Sequence, residues 1–240
     1  MFATHFVIPF SIFYFLIPIF CYQLVLIFGA IKIQSNFFIN SICEATTTKN
    51  EIALTFDDGP ADNYTNQILD ILQQNNIEAA FFCIGNRIEN HPDLIKRINV
   101  ENHLIGNHSH SHHFFFDLYS TEKMKAELLK TNDLIHGLIG KKPNYFRPPY
   151  GVTNPNLAKA IRQLGFHSIG WNIRSMDTVV KVEQKLLNNI IPKLKPGAVV
   201  LLHDTAQITI ANLQQLIDAI HAKGFKIVRL DKLINIEPYA

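Results

Sequence analysis

The sequence predicts an α/β fold, in which a parallel sheet is covered by helices and preceded by a helix that spans a membrane. Patterns typical of strands and of amphipathic helices alternate about six or seven times after residue 50. Several strand patterns are continuously apolar, as in parallel sheets that are buried on both faces. A long uncharged run precedes the alternation. The alternation itself leaves open whether the sheet is doubly wound or forms a barrel.

The first 39 residues are predicted to form a membrane anchor. Residues 6–31 contain no Asp, Glu, Lys or Arg, and about 20 apolar residues are enough to cross a bilayer. The run is longer than the roughly 7–15 residues of a signal-peptide core, and no Lys or Arg precedes it, so we expect an uncleaved anchor. Pro9 and Pro18 disfavour the alternative of a buried helix in a soluble domain. Lys32 alone does not set the orientation.

The composition excludes several classes of protein. Lys and Arg number 22 against 20 Asp and Glu, and this net charge of +2 provides no basic surface for a nucleic-acid partner. A hydrophobic content of 48% excludes a disordered chain. Cys21, Cys43 and Cys83 lack the paired spacing of a zinc site, so we expect free thiols that are buried or face lipid.

A polar segment, residues 40–50, is predicted to link the anchor to one domain of residues 51–240. The first strand of this domain alternates apolar and polar residues, while the second and sixth strands are continuous apolar runs. The other strands are short apolar or aromatic runs between helix patterns. Strands are predicted at residues 51–56, 79–84, 104–106, 145–146, 166–171, 198–203 and 225–229.

The predicted helices have one apolar face and recognisable ends. Ile68, Leu69 and Leu72 form such a face in the first of them. Pro92 stands in the first turn of the second helix, Ser120 is the expected N-cap of the third, and a glycine stop signal follows each of the last three. Helices are predicted at residues 64–75, 91–100, 120–137, 156–164, 181–194 and 210–223.

Chemically active side chains follow five of the predicted strands. Parallel strands place their carboxyl ends at one edge of a sheet, so these side chains are expected to form one polar site. The five groups are Asp57 and Asp58, residues 108–113, Arg147, residues 172–177, and His203 with Asp204.

The motif TFDDGP, residues 55–60, places two carboxylates side by side after a strand. Because adjacent side chains diverge, one carboxylate can bind a metal while the other faces the substrate as a general base. The alternative is a simple turn, since Asp-Gly-Pro is typical of turns.

The motif NHSHSHH, residues 107–113, predicts a metal site. His108 and His112 are four residues apart, which would bring both rings to one side of a helical turn. Two His and one carboxylate leave coordination positions for water and substrate. The spacing also allows a pair of His110 and His113. His103 is interpreted as structural.

Two further motifs complete the set. In RPPYG, residues 147–151, Arg147 is suited to hold a carboxylate by a bidentate pair, with a surface Arg as the alternative. In LLHD, residues 201–204, His203 ends an apolar strand and is suited to act as a general acid, with a satisfied core His as the alternative.

The order and distances of TFDDGP, HSHSH, RPPYG and LLHD resemble the polysaccharide deacetylase family, also called carbohydrate esterase family four or the chitooligosaccharide deacetylase homology domain. The resemblance covers about residues 51–232. It implies a distorted, incomplete (β/α) barrel. It also implies that Asp57 is the general base, that Arg147 orients this base, and that Asp58, His108 and His112 bind one divalent metal ion, zinc or a similar cation.

The same resemblance assigns the remaining site residues. His203 would be the general acid, and the backbone N–H of Tyr150 would stabilise the oxyanion. Leu201 would form a wall of the pocket for the acetyl methyl group, and Trp171 is expected to contact substrate as well.

One motif, WNIRSMDT at residues 171–178, departs from the family. Trp171 and Asp177 match, but Arg174 replaces an Asp, and Thr178 replaces a Trp that lines the substrate groove in the family. The resemblance implies that the replaced Asp pairs with the catalytic His and raises its pKa. The tuning of His203 and the shape of the groove therefore stay open. Arg174 is expected either to bind an anionic group or to pair with a nearby carboxylate.

These observations predict a membrane-anchored, metal-dependent N-deacetylase whose partner is an acetylated amino-sugar polymer of the peptidoglycan or chitooligosaccharide type. Such a polymer belongs to the cell envelope, so the catalytic domain is expected on the extracytoplasmic side. Two alternatives remain: an esterase that removes O-acetyl groups with the same site, and a non-catalytic glycan-binding domain that retains the metal site.

Overall fold

The computed structural model describes residues 13–240, so the beginning of the predicted anchor, with Pro9, lies outside the described residues. Helix α1, Phe13–Ile31, includes Pro18. Within the described part of the chain, one helix is long and apolar enough to cross a membrane: the window Tyr14–Ile31 has a mean hydropathy of 2.1 and is 6% buried. It is a possible transmembrane anchor, because its apolar side chains have almost no protein to pack against.

The domain is built on an eight-stranded sheet in which every pairing between strands is parallel. The strands are β1 (Glu51–Asp57), β2 (Ala80–Cys83), β3 (Leu104–Asn107), β4 (Tyr145–Phe146), β5 (His167–Ser168), β6 (Ile173–Arg174), β7 (Val199–His203) and β8 (Lys226–Ile227). Their order is β5-β4-β3-β2-β1-β7-β6, with β8 beside β1. In the described chain β5 and β6 do not pair, so the barrel stays incomplete, as the family resemblance implies.

Helices surround this sheet, most of them on its outer face, whereas Leu230 and Leu233 of the last helix pack into the inner apolar layer. The helices are α2 (Asp62–Gln74), α3 (Gly85–Asn90), α4 (Pro92–Val100), α5 (Thr121–Ile139), α6 (Pro155–Leu164), α7 (Glu183–Ile190), α8 (Gln207–Ala222) and α9 (Leu230–Ile234). The sequence patterns do not predict α3 and α9, which are too short for a clear helical period. Ser120 caps α5 as predicted, since its side chain accepts a hydrogen bond from Lys123 N–H.

The alternation of side chains along the strands creates two apolar layers. Leu54, Phe81 and Val200 belong to the layer between sheet and helices. Ala53 and Leu201 belong to the second layer, on the inner face of the barrel. Because side chains in a strand alternate between the two faces, the final residues of β1 and β7 point to the inner face as well.

The predicted strand at residues 166–171 is shorter than expected. It contains β5, while β6 begins later and pairs with β7 at the other end of the sheet. The carbonyl groups of Ile169 and Gly170 accept hydrogen bonds from the Arg147 side chain. This segment therefore crosses the open side of the barrel and joins its two edges.

The residues after α1 pack against the barrel. Ile33 and Ile39 are buried in two apolar clusters. Ile42 forms a parallel bridge with Ile169, and Thr153 N–H donates a hydrogen bond to the carbonyl of Ala30 in α1. The carboxyl end of the apolar helix is thus fixed directly to the domain.

Candidate active site

A cleft of about 250 Å³ opens at the carboxyl ends of the strands. It gathers the side chains that the four sequence motifs single out. Its lining consists of Asp57, Asp58, His108, His112, Tyr150, Gly151, Trp171, Arg174, Thr178, Leu201 and His203. Arg147 and Asp177, the remaining predicted site residues, are buried and contact residues of this lining. A larger depression of about 600 Å³ near Pro60 and Gln207 contains none of the predicted site residues.

On one side of the cleft, a buried arginine holds Asp57. Arg147 is 0% exposed, so the alternative of a surface Arg is wrong. Its Nη1 donates to Asp57 Oδ1 at 2.6 Å and to Thr55 Oγ1 at 2.9 Å. Its Nε and Nη2 donate to the carbonyls of Ile169 and Gly170 at 3.2 and 2.9 Å. These four bonds fix the orientation of the guanidinium and, through it, of the Asp57 carboxylate.

Asp58, His108 and His112 form a possible metal site. Their ligand atoms lie within 4.8 Å of one another, the one group of this kind found in residues 13–240. Asp58 Oδ1 is 3.5 Å from Nε2 of each histidine. His108 Nδ1 lies 2.8 Å from the carbonyl oxygen of Arg147. Because a carbonyl can only accept, Nδ1 carries the proton and Nε2 presents its lone pair to the site, as metal binding requires.

His108 and His112 do not lie on a helical turn, so the prediction that their four-residue spacing reflects a helix is wrong. Residues 108–113 form a loop after β3, in which Ser109 and His112 have positive φ values of 61° and 45°. These left-handed residues reverse the chain so that both rings return to Asp58. His110, from the alternative pair, instead contacts Lys130 and Glu89.

Backbone strain accumulates around the cleft. Asp58, Tyr150 and Met176 have φ values of 74°, 58° and 62°, and His112 also has a positive φ. Non-glycine residues in this region cost of the order of 1 kcal/mol or more each, and such residues cluster at functional sites. The left-handed Asp58 follows the extended Asp57, and the two carboxylates therefore diverge as expected.

Burial and charge shift the pKa values at the possible metal site. Burial alone raises the pKa of Asp58, but the neighbouring His108 and His112 hold it well below its usual range. Burial and the neighbouring His108 lower the pKa of His112 to about 4. An anionic carboxylate beside a neutral imidazole is the ligand state that a divalent cation needs.

On the other side of the cleft, Asp177 holds His203. Asp177 Oδ1 lies 2.7 Å from His203 Nδ1, and its Oδ2 accepts from His203 N–H at 2.7 Å and from Thr209 Oγ1 at 2.6 Å. Burial disfavours the charged imidazole, but the hydrogen bond and charge of Asp177 outweigh it and raise the pKa of His203 to about 9. The family resemblance implies a partner of His203 at position 174, which is an arginine in this chain. That expectation is wrong, because the partner of His203 is Asp177.

The remaining predicted residues occupy the walls of the cleft. Leu201 and Trp171 are buried in the inner apolar layer. Tyr150 is half exposed, and its ring centroid lies 4.6 Å from that of His112. Arg174 is exposed at the rim.

The sequence places Asp204 among the chemically active side chains without a role, and it does not reveal the supporting roles of Thr55 and Thr209. Asp204, directly after His203, is fully buried, and burial raises its pKa to about 7 although Thr65 donates a hydrogen bond to it at 2.6 Å. Thr55 is the first residue of the TFDDGP motif and Thr209 lies in no motif. Neither role can be recognised from the sequence, because the partners Arg147 and Asp177 are distant in sequence.

Comparison with known proteins agrees with this site. The sequence pattern of the family described as "Polysaccharide deacetylase" matches residues 44–169, more than half of the chain. The chain belongs to the polysaccharide deacetylase family. The predicted family and enzyme class, a polysaccharide deacetylase, are confirmed. Members of the family are metal-dependent, which agrees with the group of Asp58, His108 and His112.

Individual members of the polysaccharide deacetylase family are similar over most of the domain. A peptidoglycan-N-acetylglucosamine deacetylase of Bacillus cereus is 34% identical over 191 residues, which cover 78% of this chain and 69% of that protein. The crystal structure of the Bc1960 peptidoglycan N-acetylglucosamine deacetylase superimposes with a TM-score of 0.78 at 31% identity and covers 82% of this chain and 94% of its own. The chitin deacetylase of Colletotrichum lindemuthianum gives a TM-score of 0.78 at 28% identity, with 84% and 95% coverage.

Proposed function

We propose that the protein is a membrane-anchored, metal-dependent N-deacetylase that removes acetyl groups from N-acetylglucosamine residues of a cell-envelope polysaccharide. The observation that carries the proposal is the composition of one cleft: a three-residue ligand group shares it with a carboxylate held by Arg147 and an imidazole held by Asp177. Relatives named for peptidoglycan and chitin deacetylation support the substrate class.

The ligand group is suited to a divalent cation, which we propose to be zinc, held by Asp58, His108 and His112. The bound cation would polarise the acetyl carbonyl and lower the pKa of a water molecule. Two histidines and one carboxylate leave room for water and the carbonyl oxygen.

Asp57 is proposed to act as the general base. It takes a proton from the water that attacks the acetyl carbon, so a C–O bond forms as the O–H bond breaks. Arg147 keeps its carboxylate in one orientation during this step. The backbone N–H of Tyr150 is proposed to stabilise the negative charge that develops on the carbonyl oxygen.

His203 is proposed to act as the general acid. The amine nitrogen is a poor leaving group until it is protonated, and His203 with a pKa of about 9 carries a proton at neutral pH. Transfer of this proton to nitrogen accompanies cleavage of the C–N bond and yields acetate and a free amino sugar. Leu201 and Trp171 supply an apolar wall for the acetyl methyl group.

The division of the chain fits this activity. We propose an anchor of residues 1–39, a connecting segment of residues 40–50 and a catalytic domain of residues 51–240. A cell-envelope polysaccharide lies outside the cytoplasm, so the catalytic domain is proposed to face the extracytoplasmic side. The exposed apolar surface of α1 and its direct contact with the domain support a location close to the membrane surface.

The proposal is tested by acetate release from acetylated chitooligosaccharide and from peptidoglycan, with the full chain in detergent. We expect a chelator to abolish the activity and added zinc to restore it. Asp57→Asn is expected to lower kcat by about 10²–10⁴-fold, because the base is lost. Asp62→Asn changes an exposed carboxylate at the start of α2, five residues after Asp57, and is the matched control. Full activity after chelation, or in D57N, would exclude this mechanism, and an O-acetylated substrate tests the esterase alternative.

A further inference from the structure

Arg174 is part of the cleft wall, on the strand next to the one that carries the proposed acid. β6 pairs with β7 so that Arg174 stands opposite Leu201. Residues paired in this way direct their side chains to the same face of a sheet, and Leu201 lies on the inner face. The guanidinium of Arg174 therefore belongs to the cleft and not to the helix-covered face.

The charge of Arg174 is not neutralised by the protein. No hydrogen bond or ion pair involves its side chain within residues 13–240. The carboxylates of the cleft and its border already have partners: Asp57 pairs with Arg147, and Asp177 pairs with His203. Asp58 lies beside His108 and His112. Arg174 thus differs from Arg147, the other arginine of the site, which is buried and fully paired.

The backbone around Arg174 is held in place although its side chain is exposed. Ser175 is buried, and its carbonyl accepts a hydrogen bond from Asn189 Nδ2 at 2.9 Å. Asp177 is fixed by three hydrogen bonds from His203 and Thr209. The backbone therefore carries Arg174 at a defined place on the rim, while its side chain stays free to adjust to a ligand.

We propose that Arg174 binds a carboxylate of the substrate polymer, close to the acetyl group that is removed. This inference rests on the proposed deacetylase function and specifies the substrate as an acetylated sugar polymer that carries carboxylates. A planar guanidinium pairs with a carboxylate through two parallel hydrogen bonds. The singly charged carboxylate also suits a cleft that contains Asp57 and Asp58, because both would repel a doubly charged phosphate more strongly.

The test uses two substrates that differ at this carboxyl group alone: an acetylated oligosaccharide of N-acetylglucosamine and N-acetylmuramic acid with free carboxylates, and its methyl ester. The full chain in detergent is compared with Arg174→Gln, and with Arg162→Gln as a control at an exposed arginine on α6. We expect R174Q to lower kcat/KM for the carboxylate substrate about tenfold, mainly through KM, with less than a twofold change for the ester. R162Q is expected to change neither.

Salt and the conservative variant strengthen the test. The preference for the carboxylate substrate should decrease as ionic strength rises, and R174K should retain part of it, because a point charge remains. If the unchanged protein deacetylates both substrates equally well, or if R174Q lowers both alike, the inference is wrong while the deacetylase function stands. If no acetylated sugar releases acetate, the proposed function itself is wrong and the inference falls with it.

Discussion

Asp57 and His203 in the cleft are each held by a buried charged residue, but the two pairs have different effects. Asp57 and His203 stand opposite each other in the register of β1 and β7, and each has one charged partner behind it. Beside Asp57 the partner is Arg147, a permanent cation that is wholly buried. Beside His203 the partner is the buried carboxylate of Asp177, and the group that titrates is the one facing the cleft.

One pair fixes the orientation of the Asp57 carboxylate, whereas the other raises the pKa of His203. Arg147 makes four hydrogen bonds to the side chains and carbonyls around it, so its main effect is to fix geometry. Asp177 raises the pKa of His203 against the effect of burial, so its main effect is on proton affinity. Changes on the Arg147 side should therefore affect stability most, and changes on the Asp177 side should affect the pH dependence of activity.

The largest effect on stability is expected for Arg147→Met. The variant leaves Asp57 buried without its counter-ion, and loss of one partner of a buried pair costs about 3–5 kcal/mol. The free energy of unfolding of the full chain in detergent, followed by circular dichroism, should fall by this amount, and activity should be lost. Arg162→Met, at an exposed position, is the control.

A double variant makes this prediction sharper. R147M/D57N removes the unpaired charge as well, so it should recover part of the stability lost in R147M while remaining inactive. If R147M is as stable as R162M, or if the double variant is no more stable than R147M, the pair does not have the structural role inferred here.

The fold class and most of the site residues can be predicted from local sequence patterns. The pairing of His203 with Asp177 depends on contacts between residues that are far apart in the sequence. The alternation of strands and helices predicts a parallel sheet covered by helices, and the family resemblance adds the incomplete barrel. The strand-end motifs predict Asp57, Asp58, His108 and His203. The partner of His203 was assigned by analogy to position 174. Only the fold brings Asp177 to this place, because the loop after β6 turns at Met176, which has a positive φ.

The second largest effect is expected for Asp177→Asn, which alters the tuning of His203. The side chain keeps its size but loses its charge, and removal of a working general acid typically costs about 10²–10⁴-fold in rate. We expect kcat/KM at neutral pH to fall by about 10²-fold. Asp133→Asn, which changes an exposed carboxylate on α5, should have no effect.

The pH profile of activity shows whether D177N lowers the pKa of His203 or only displaces its side chain. The acid must be protonated, so activity of the unchanged protein should fall as pH rises through about 9, the pKa of His203. Without the Asp177 charge, burial lowers the pKa of His203, and this alkaline limb should move to lower pH. A reduced rate with an unmoved limb would mean that Asp177 positions His203 without tuning it.

The smallest effect is expected for Thr209→Val, which separates the position of Asp177 from its charge. Thr209 donates a 2.6 Å hydrogen bond to Asp177 Oδ2, an oxygen that retains the backbone N–H of His203 in the variant. The free energy of unfolding should fall by about 1.5 kcal/mol, the usual value for a hydrogen bond to a charged group.

Activity of T209V should fall less than tenfold, with its alkaline limb still near pH 9, because Asp177 keeps its charge and its contact with His203 Nδ1. Thr131→Val is the matched control, since Thr131 is equally buried but donates to the backbone carbonyl of Glu127. If T209V lost as much activity as D177N, the placement of the carboxylate would matter more than its charge. The two sides of the cleft would then both act by orientation, and the distinction between them would disappear.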